Sequence, residues 1–209
     1  ALQNGEFRVF VQPKYRTGNA KLAAGEALIR WVDPEKGMIP PIKFIPVFEQ
    51  NRFVHDIDLY VMEVVSRFIR MRLNDGLPVV PISLNISPVE MSMPNFKNAY
   101  IDIKEKYNIP DGLIELEFTE GIFFENEEYF REIISEFQSH GFRCSIDDFG
   151  SGYSSLNILK NLPVDTLKLD RLFFKESDDA SRDRSIVRSV VAMARSLNIM
   201  TVAEGVETL

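Results

Sequence analysis

Short apolar runs alternate with longer amphipathic stretches along most of the chain. "FRVFVQPKY" and "KLAAGEALIRW" read as two strands joined through the turn "RTGNA". "PIKFIPVFEQN" predicts a short helix, and "DIDLYVMEVVSRFIRMRLND" a long one with its apolar residues at helical spacing. The order then repeats: strand "VVPISLN", helix over 95–107, strand "LIELEFT", helix over 127–140, strand "FRCSID". A short helix over 154–160, strand "DTLKLD", helix over 184–196 and strand "IMTVAE" complete the series. Such alternation builds a parallel sheet, either doubly wound or closed as a barrel.

The residues that close the strands favour the barrel. They are Glu26, Asn85, Glu117, Asp147, Lys168 and Glu204, and every one is polar. Side chains alternate across a strand, so Leu167 and Leu169 share one face while Lys168 takes the other. A closed barrel gathers such groups at the C-terminal mouth, where active sites of that architecture lie, whereas an open sheet strings them along an edge.

Composition narrows the functional classes. With 209 residues and 45% hydrophobic content, the chain reads as one domain with a full core. Its net charge of −7, without a basic block, argues against a nucleic-acid polymer as partner. The single cysteine, Cys144, cannot form an internal disulfide and reads as a small buried apolar residue, which fits a reducing cytosol. No apolar run approaches the roughly 20 residues needed to span a bilayer, and no secretory signal is present. The abrupt ends "ALQNGEFRVF" and "AEGVETL" read as cuts from a longer protein.

The converging set holds carboxylates, an amide and an ammonium, without imidazole or thiolate. All-oxygen donors suit Mg²⁺ or Mn²⁺ rather than Zn²⁺ or copper. The adjacent pair Asp147–Asp148, within "CSIDDFGSGYSS", can share two cations, and two metals activate water against a phosphodiester. Lys168 beside them can orient that water and support developing negative charge. The only histidines, His55 and His140, fall in helical stretches and read as surface or capping residues rather than ligands. Bland readings compete residue by residue: Glu26 as a solvated acid, Asn85 as a turn former, Arg30 as a salt-bridge partner. Asp147–Asp148 can cap a turn, Lys168 can pair with Asp170, and Glu115 reads as structural.

The motifs "VQPKY", "EALIRW", "FIPVFEQNRFV", "SLNIS", "ELEFTE", "DDFGSGYSSL", "LKLDR" and "AEGVET" occur in one order. In that order they resemble the EAL domain family, the cyclic di-GMP phosphodiesterases of bacterial signalling. The resemblance implies a TIM-like (βα)8 barrel with an antiparallel first strand, whose last helix and strand lie beyond Leu209. It implies hydrolysis of cyclic di-GMP to linear pGpG with Mg²⁺ or Mn²⁺, two ions per site. By the same resemblance Glu26, Asn85, Glu117 and Asp147 ligate one metal, with Asp147 and Asp148 holding a second. Lys168 and Glu204 would handle the attacking water, Glu120 would steady the loop after the paired aspartates, and Glu207 is a further acid near the site. Arg30 would contact phosphate, with Gln12 and Leu28 lining the substrate groove. A homodimer formed around the loop after Asp148, a fused GGDEF or sensor domain and a cytoplasmic location are also implied.

Departures from the family pattern are Ser151 for threonine, Arg52 for a glycine at a helix end, and Gly121 after Glu120. Two other classes stand beside the phosphodiesterase: an inactive EAL domain acting as a cyclic di-GMP receptor or interaction module, and an aldolase-like enzyme using Lys168 as a Schiff base. Carboxylates around Lys168 would raise its pKa and oppose the last of these.

Overall fold

In the computed structural model of the chain, residues 1–150, 163–174 and 180–206 are described, those of 123–125 by backbone alone. They divide into two compact units, Ala1–Leu116 with His140–Phe142, and the described part of Glu117–Ser139 with Arg143–Leu209.

The first unit opens with an antiparallel pair, β1 (Phe7–Tyr15) and β2 (Leu22–Asp33), as expected for the first strand. Its register sets Phe7 opposite Trp31 and Gln12 opposite Glu26. Alternation then divides the hairpin. Phe7 and Trp31 face the helices, while Gln12, Glu26, Leu28 and Arg30 share the opposite face. A short strand that the pattern did not announce, β3 (Gly37–Ile39), pairs with the far end of β2.

Helices α1 (Pro41–Gln50) and α2 (Val54–Asn74) follow, with Pro41 at the start of α1, where its missing N–H costs nothing. Phe7, Phe44 and Ile57 are buried, and Trp31, Phe48 and Phe53 pack around them. Ring centroids lie 5.5 Å apart for Phe7–Trp31 and 5.0 Å for Phe48–Phe53. Burying each such side chain contributes roughly 1.5–3 kcal/mol.

Strand β4 (Ile82–Ile86) starts later than "VVPISLN" suggests, because Pro81 has no N–H to give. The Pro81 carbonyl instead accepts Gly25 N–H at 2.9 Å, and β4 runs parallel to β2 over 25–27 only. Glu26 is therefore not the last residue of its strand, as the sequence suggested. It lies in the middle of the parallel pairing to β4, which stops at Ala27 while the antiparallel pairing to β1 continues. A 3₁₀ turn (Pro88–Ser92) and α3 (Phe96–Lys106) complete this unit, with the first half of β5 (Ile114–Thr119).

The second unit takes the end of β5, then α4 (Glu120–Glu125), α5 (Glu127–Ser139), β6 (Arg143–Phe149) and β7 (Thr166–Leu169). A 3₁₀ turn (Arg171–Phe174), α6 (Ala180–Ser196) and β8 (Met200–Ala203) follow. Strands β6, β7 and β8 are parallel neighbours. Phe118 lies edge-on to Phe130 at 5.3 Å, and Cys144 is buried as expected. The helix expected over 154–160 lies outside the described residues.

Candidate active site

In the first unit the exposed Asn85 of β4 donates its Nδ2 to Glu26 Oε1 at 3.2 Å. Lys14, which the sequence reading passed over, donates to Ser83 Oγ at 2.8 Å and lies 4.0 Å from Glu26 Oε2. Its signal was its place two residues after Gln12, hence on the same strand face. Gln12, Leu28 and Arg30 line a hollow of about 330 Å³ together with Phe10, Val11 and Met38. Arg30 Nη1 donates to the Ile29 carbonyl at 2.8 Å.

The second unit holds the denser charge. Lys168 is 1% exposed, and its ammonium lies 2.6 Å from Glu117 Oε2, 2.9 Å from Asp147 Oδ1 and 2.8 Å from Glu204 Oε1. An ammonium has three donors, and three carboxylates surround this one. Asp170 does not take Lys168; its Oδ1 accepts Leu172 N–H at 2.8 Å and starts the 3₁₀ turn.

Consecutive strand residues normally point to opposite faces, so Asp147 and Asp148 should diverge. A break in register resolves this. Ile146 pairs with Leu167 but Phe149 with Leu169, so two residues of β6 oppose Lys168 alone. Asp148 adopts φ +53°, and its N–H donates to Asp147 Oδ1 at 2.9 Å. Carboxylate oxygens of Asp147, Asp148 and Glu204 thereby lie within 4.8 Å of one another. Hard oxygens this close suit a hard divalent cation, so the residues fit a metal.

Glu120, at the start of α4, accepts Gly150 N–H through Oε2 at 3.3 Å. Gly150 has φ +96°, and a Cβ there would meet the Phe173 ring at 1.7 Å. Glu207 and the loop from Ser151 lie outside the described residues.

His55 corrects the sequence reading. It is neither a cap nor a free surface side chain, because its Nδ1 lies 2.9 Å from the fully buried Glu90 carboxylate. A contact across 35 residues leaves no local signal. His140 is exposed just beyond α5, as expected.

Comparison with known proteins gives a consistent result. The family model described as "EAL domain" matches residues 1–209. The cyclic di-GMP phosphodiesterase PdeR of Escherichia coli K12 is 33% identical over 208 residues, covering 100% of this chain and 31% of the relative. The bifunctional diguanylate cyclase/cyclic di-GMP phosphodiesterase MucR of Pseudomonas aeruginosa is 34% identical, covering 100% of this chain and 30% of the relative. The chain thus spans about a third of the length of these curated relatives. Among solved structures, the PaMucR phosphodiesterase in complex with c-di-GMP aligns with a TM-score of 0.91 at 34% identity, over 100% of this chain and 84% of that one.

Proposed function

On the premise that the chain belongs to the EAL domain family, we propose that it hydrolyses cyclic di-GMP to linear pGpG with Mg²⁺ or Mn²⁺. The fold is accordingly of the EAL type. The observation that carries the reading is the buried Lys168 ammonium among Glu117, Asp147 and Glu204, with Asp148 beside them. The names of PdeR and MucR as phosphodiesterases, and the c-di-GMP in the PaMucR complex, support the substrate.

In this reading Glu26 and Asn85 of the first unit, and Glu117, Asp147 and Asp148 of the second, would serve as metal ligands. Bound there, the cations supply Lewis acidity at the phosphodiester and lower the pKa of a water. Lys168 orients the attacking water and supports charge developing on phosphate oxygens. Glu204 accepts a hydrogen bond from that water, and Glu207 is a further acid of the site. Glu120 holds the backbone after the paired aspartates through Gly150 N–H. Arg30 contacts a phosphate of the bound substrate, while Gln12 and Leu28 line its groove. A homodimer, a fused GGDEF or sensor domain and a cytoplasmic location belong to the same proposal. Among the described residues no helix is long and apolar enough to cross a membrane.

The test is chromatography of cyclic di-GMP incubated with the protein and Mg²⁺ or Mn²⁺. Conversion to pGpG that stops with chelator supports the proposal. Tight binding without product transfers the chain to the receptor class.

A further inference from the structure

Ser87 lies two residues beyond Asn85, and both its donors go to carboxylates from different helices. Its N–H donates to Asp58 Oδ2 of α2 at 3.2 Å, and its hydroxyl to Glu49 Oε1 of α1 at 2.8 Å. The same hydroxyl oxygen accepts Val89 N–H at 3.3 Å and so caps the 3₁₀ turn. Within that turn Glu90 is fully buried and bonded to His55 of α2. The strand end carrying Asn85 is thus tied to α1 and α2 through three acids.

This arrangement is a poor way to gain stability. Three carboxyl groups crowd together here, and burial together with the neighbouring Glu90 raises the Asp58 carboxyl well above its ordinary value. Apolar residues of similar volume commonly serve a fold as well or better than buried charge. Two hydrogen bonds from one residue to two different helices do, however, fix the backbone at that residue. Asn85 needs that, because its side chain is exposed and packing alone does not define it. What holds it is its bond to Glu26 and the backbone immediately after it.

We propose that Glu49 and Asp58 are positioning residues for Asn85, acting through Ser87, that set the affinity of the Glu26–Asn85 pair for a divalent cation. The inference rests on the metal-holding role given to that pair above. Groups that orient metal ligands typically change affinity about 10- to 100-fold when lost.

The experiment is calorimetric titration of the substrate-free protein with Mn²⁺, alongside the melting temperature of each metal-free variant. Asp58→Ala and Glu49→Ala should each weaken Mn²⁺ binding about tenfold. Asp58→Asn and Glu49→Gln keep an acceptor oxygen and should stay within about threefold of the parent. Ile69→Val trims the buried face of α2 away from Ser87 and should lower the melting temperature without moving affinity. If an alanine variant does not fold, Ser87→Ala against Ser87→Thr carries the same comparison, the first weakened and the second retained. Folded alanine variants with parental affinity overturn the inference. So do amide variants as weak as the alanines, or Ile69→Val losing as much affinity. Glu26→Gln separates the two readings. If it binds Mn²⁺ like the parent, the metal assignment fails and takes the inference with it. If it alone loses binding, only the positioning role fails.

Discussion

Lys168 Nζ lies 2.6 Å from Glu117 Oε2, and the two side chains are 1% and 0% exposed. Removing one partner of such a pair strands a buried charge, typically at a cost of about 3–5 kcal/mol. Lys168→Met should therefore melt lower than the parent when metal-free, since Asp147 and Glu204 lose the same ammonium. Mg²⁺ should then raise the melting temperature more in Lys168→Met than in the parent. Equal shifts in scanning calorimetry would show that the carboxylates around Lys168 do not hold the ion.

Lys168 and Arg30 should also separate kinetically. A group that acts on water and transition-state charge affects turnover, whereas one that contacts ground-state phosphate affects binding. Lys168→Ala should lower kcat by at least about 100-fold with KM little changed. Arg30→Ala should chiefly raise KM. Steady-state kinetics on cyclic di-GMP decide this, and equal loss of affinity in both would reduce Lys168 to a binding cation.

Asp58 supplies a pH signature. Its carboxyl is raised first by burial and then by the charge of Glu90, with the Ser87 N–H opposing and Glu49 adding to the rise. Tyr100 faces the same group, and His55 sits on Glu90. An acid with a raised folded pKa binds its proton more tightly when folded. Stability therefore falls as pH climbs from the ordinary carboxylate value toward the raised one. Asp58→Asn removes that loss. It should melt above the parent at about pH 8, and the gain should vanish near pH 3.5, below the ordinary carboxylate value. A gain independent of pH would contradict the cause assigned here.

Two backbone positions should respond oppositely. Arg52, at φ +64° after α1, sits in a left-handed conformation that disfavours side chains, which accounts for the glycine of the family pattern. Arg52→Gly should stabilise by about 0.5–1 kcal/mol. Gly150→Ala should destabilise by about 1 kcal/mol or more through φ +96° and collision with Phe173. Denaturant melts of both variants check the signs.

How far these features were legible depended on whether their cause was local. Alternation set Lys168 apart from Leu167 and Leu169, and the near-complete burial of Glu117 and Lys168 agrees with strands covered on both sides. The Asp147–Asp148 bulge was not readable, because a register break depends on the neighbouring strand. Strand β3 was too short to show a period, and α6 is already helical at Ala180, ahead of 184, where a polar turn hid the period. The Glu49–Ser87–Asp58 link joins elements more than 25 residues apart, beyond any local pattern.

The most direct measurement of the central claim is hydrolysis in ¹⁸O-labelled water with Mn²⁺, followed by mass spectrometry of the product. Attack by water on one phosphodiester breaks a single P–O ester bond and leaves the solvent oxygen on the new terminal phosphate. The account predicts pGpG carrying one ¹⁸O from the parent protein, and at least about 100-fold less from Glu117→Ala or with chelator present. Cyclic di-GMP recovered intact from a folded, metal-loaded protein, or full labelling by Glu117→Ala, would contradict it.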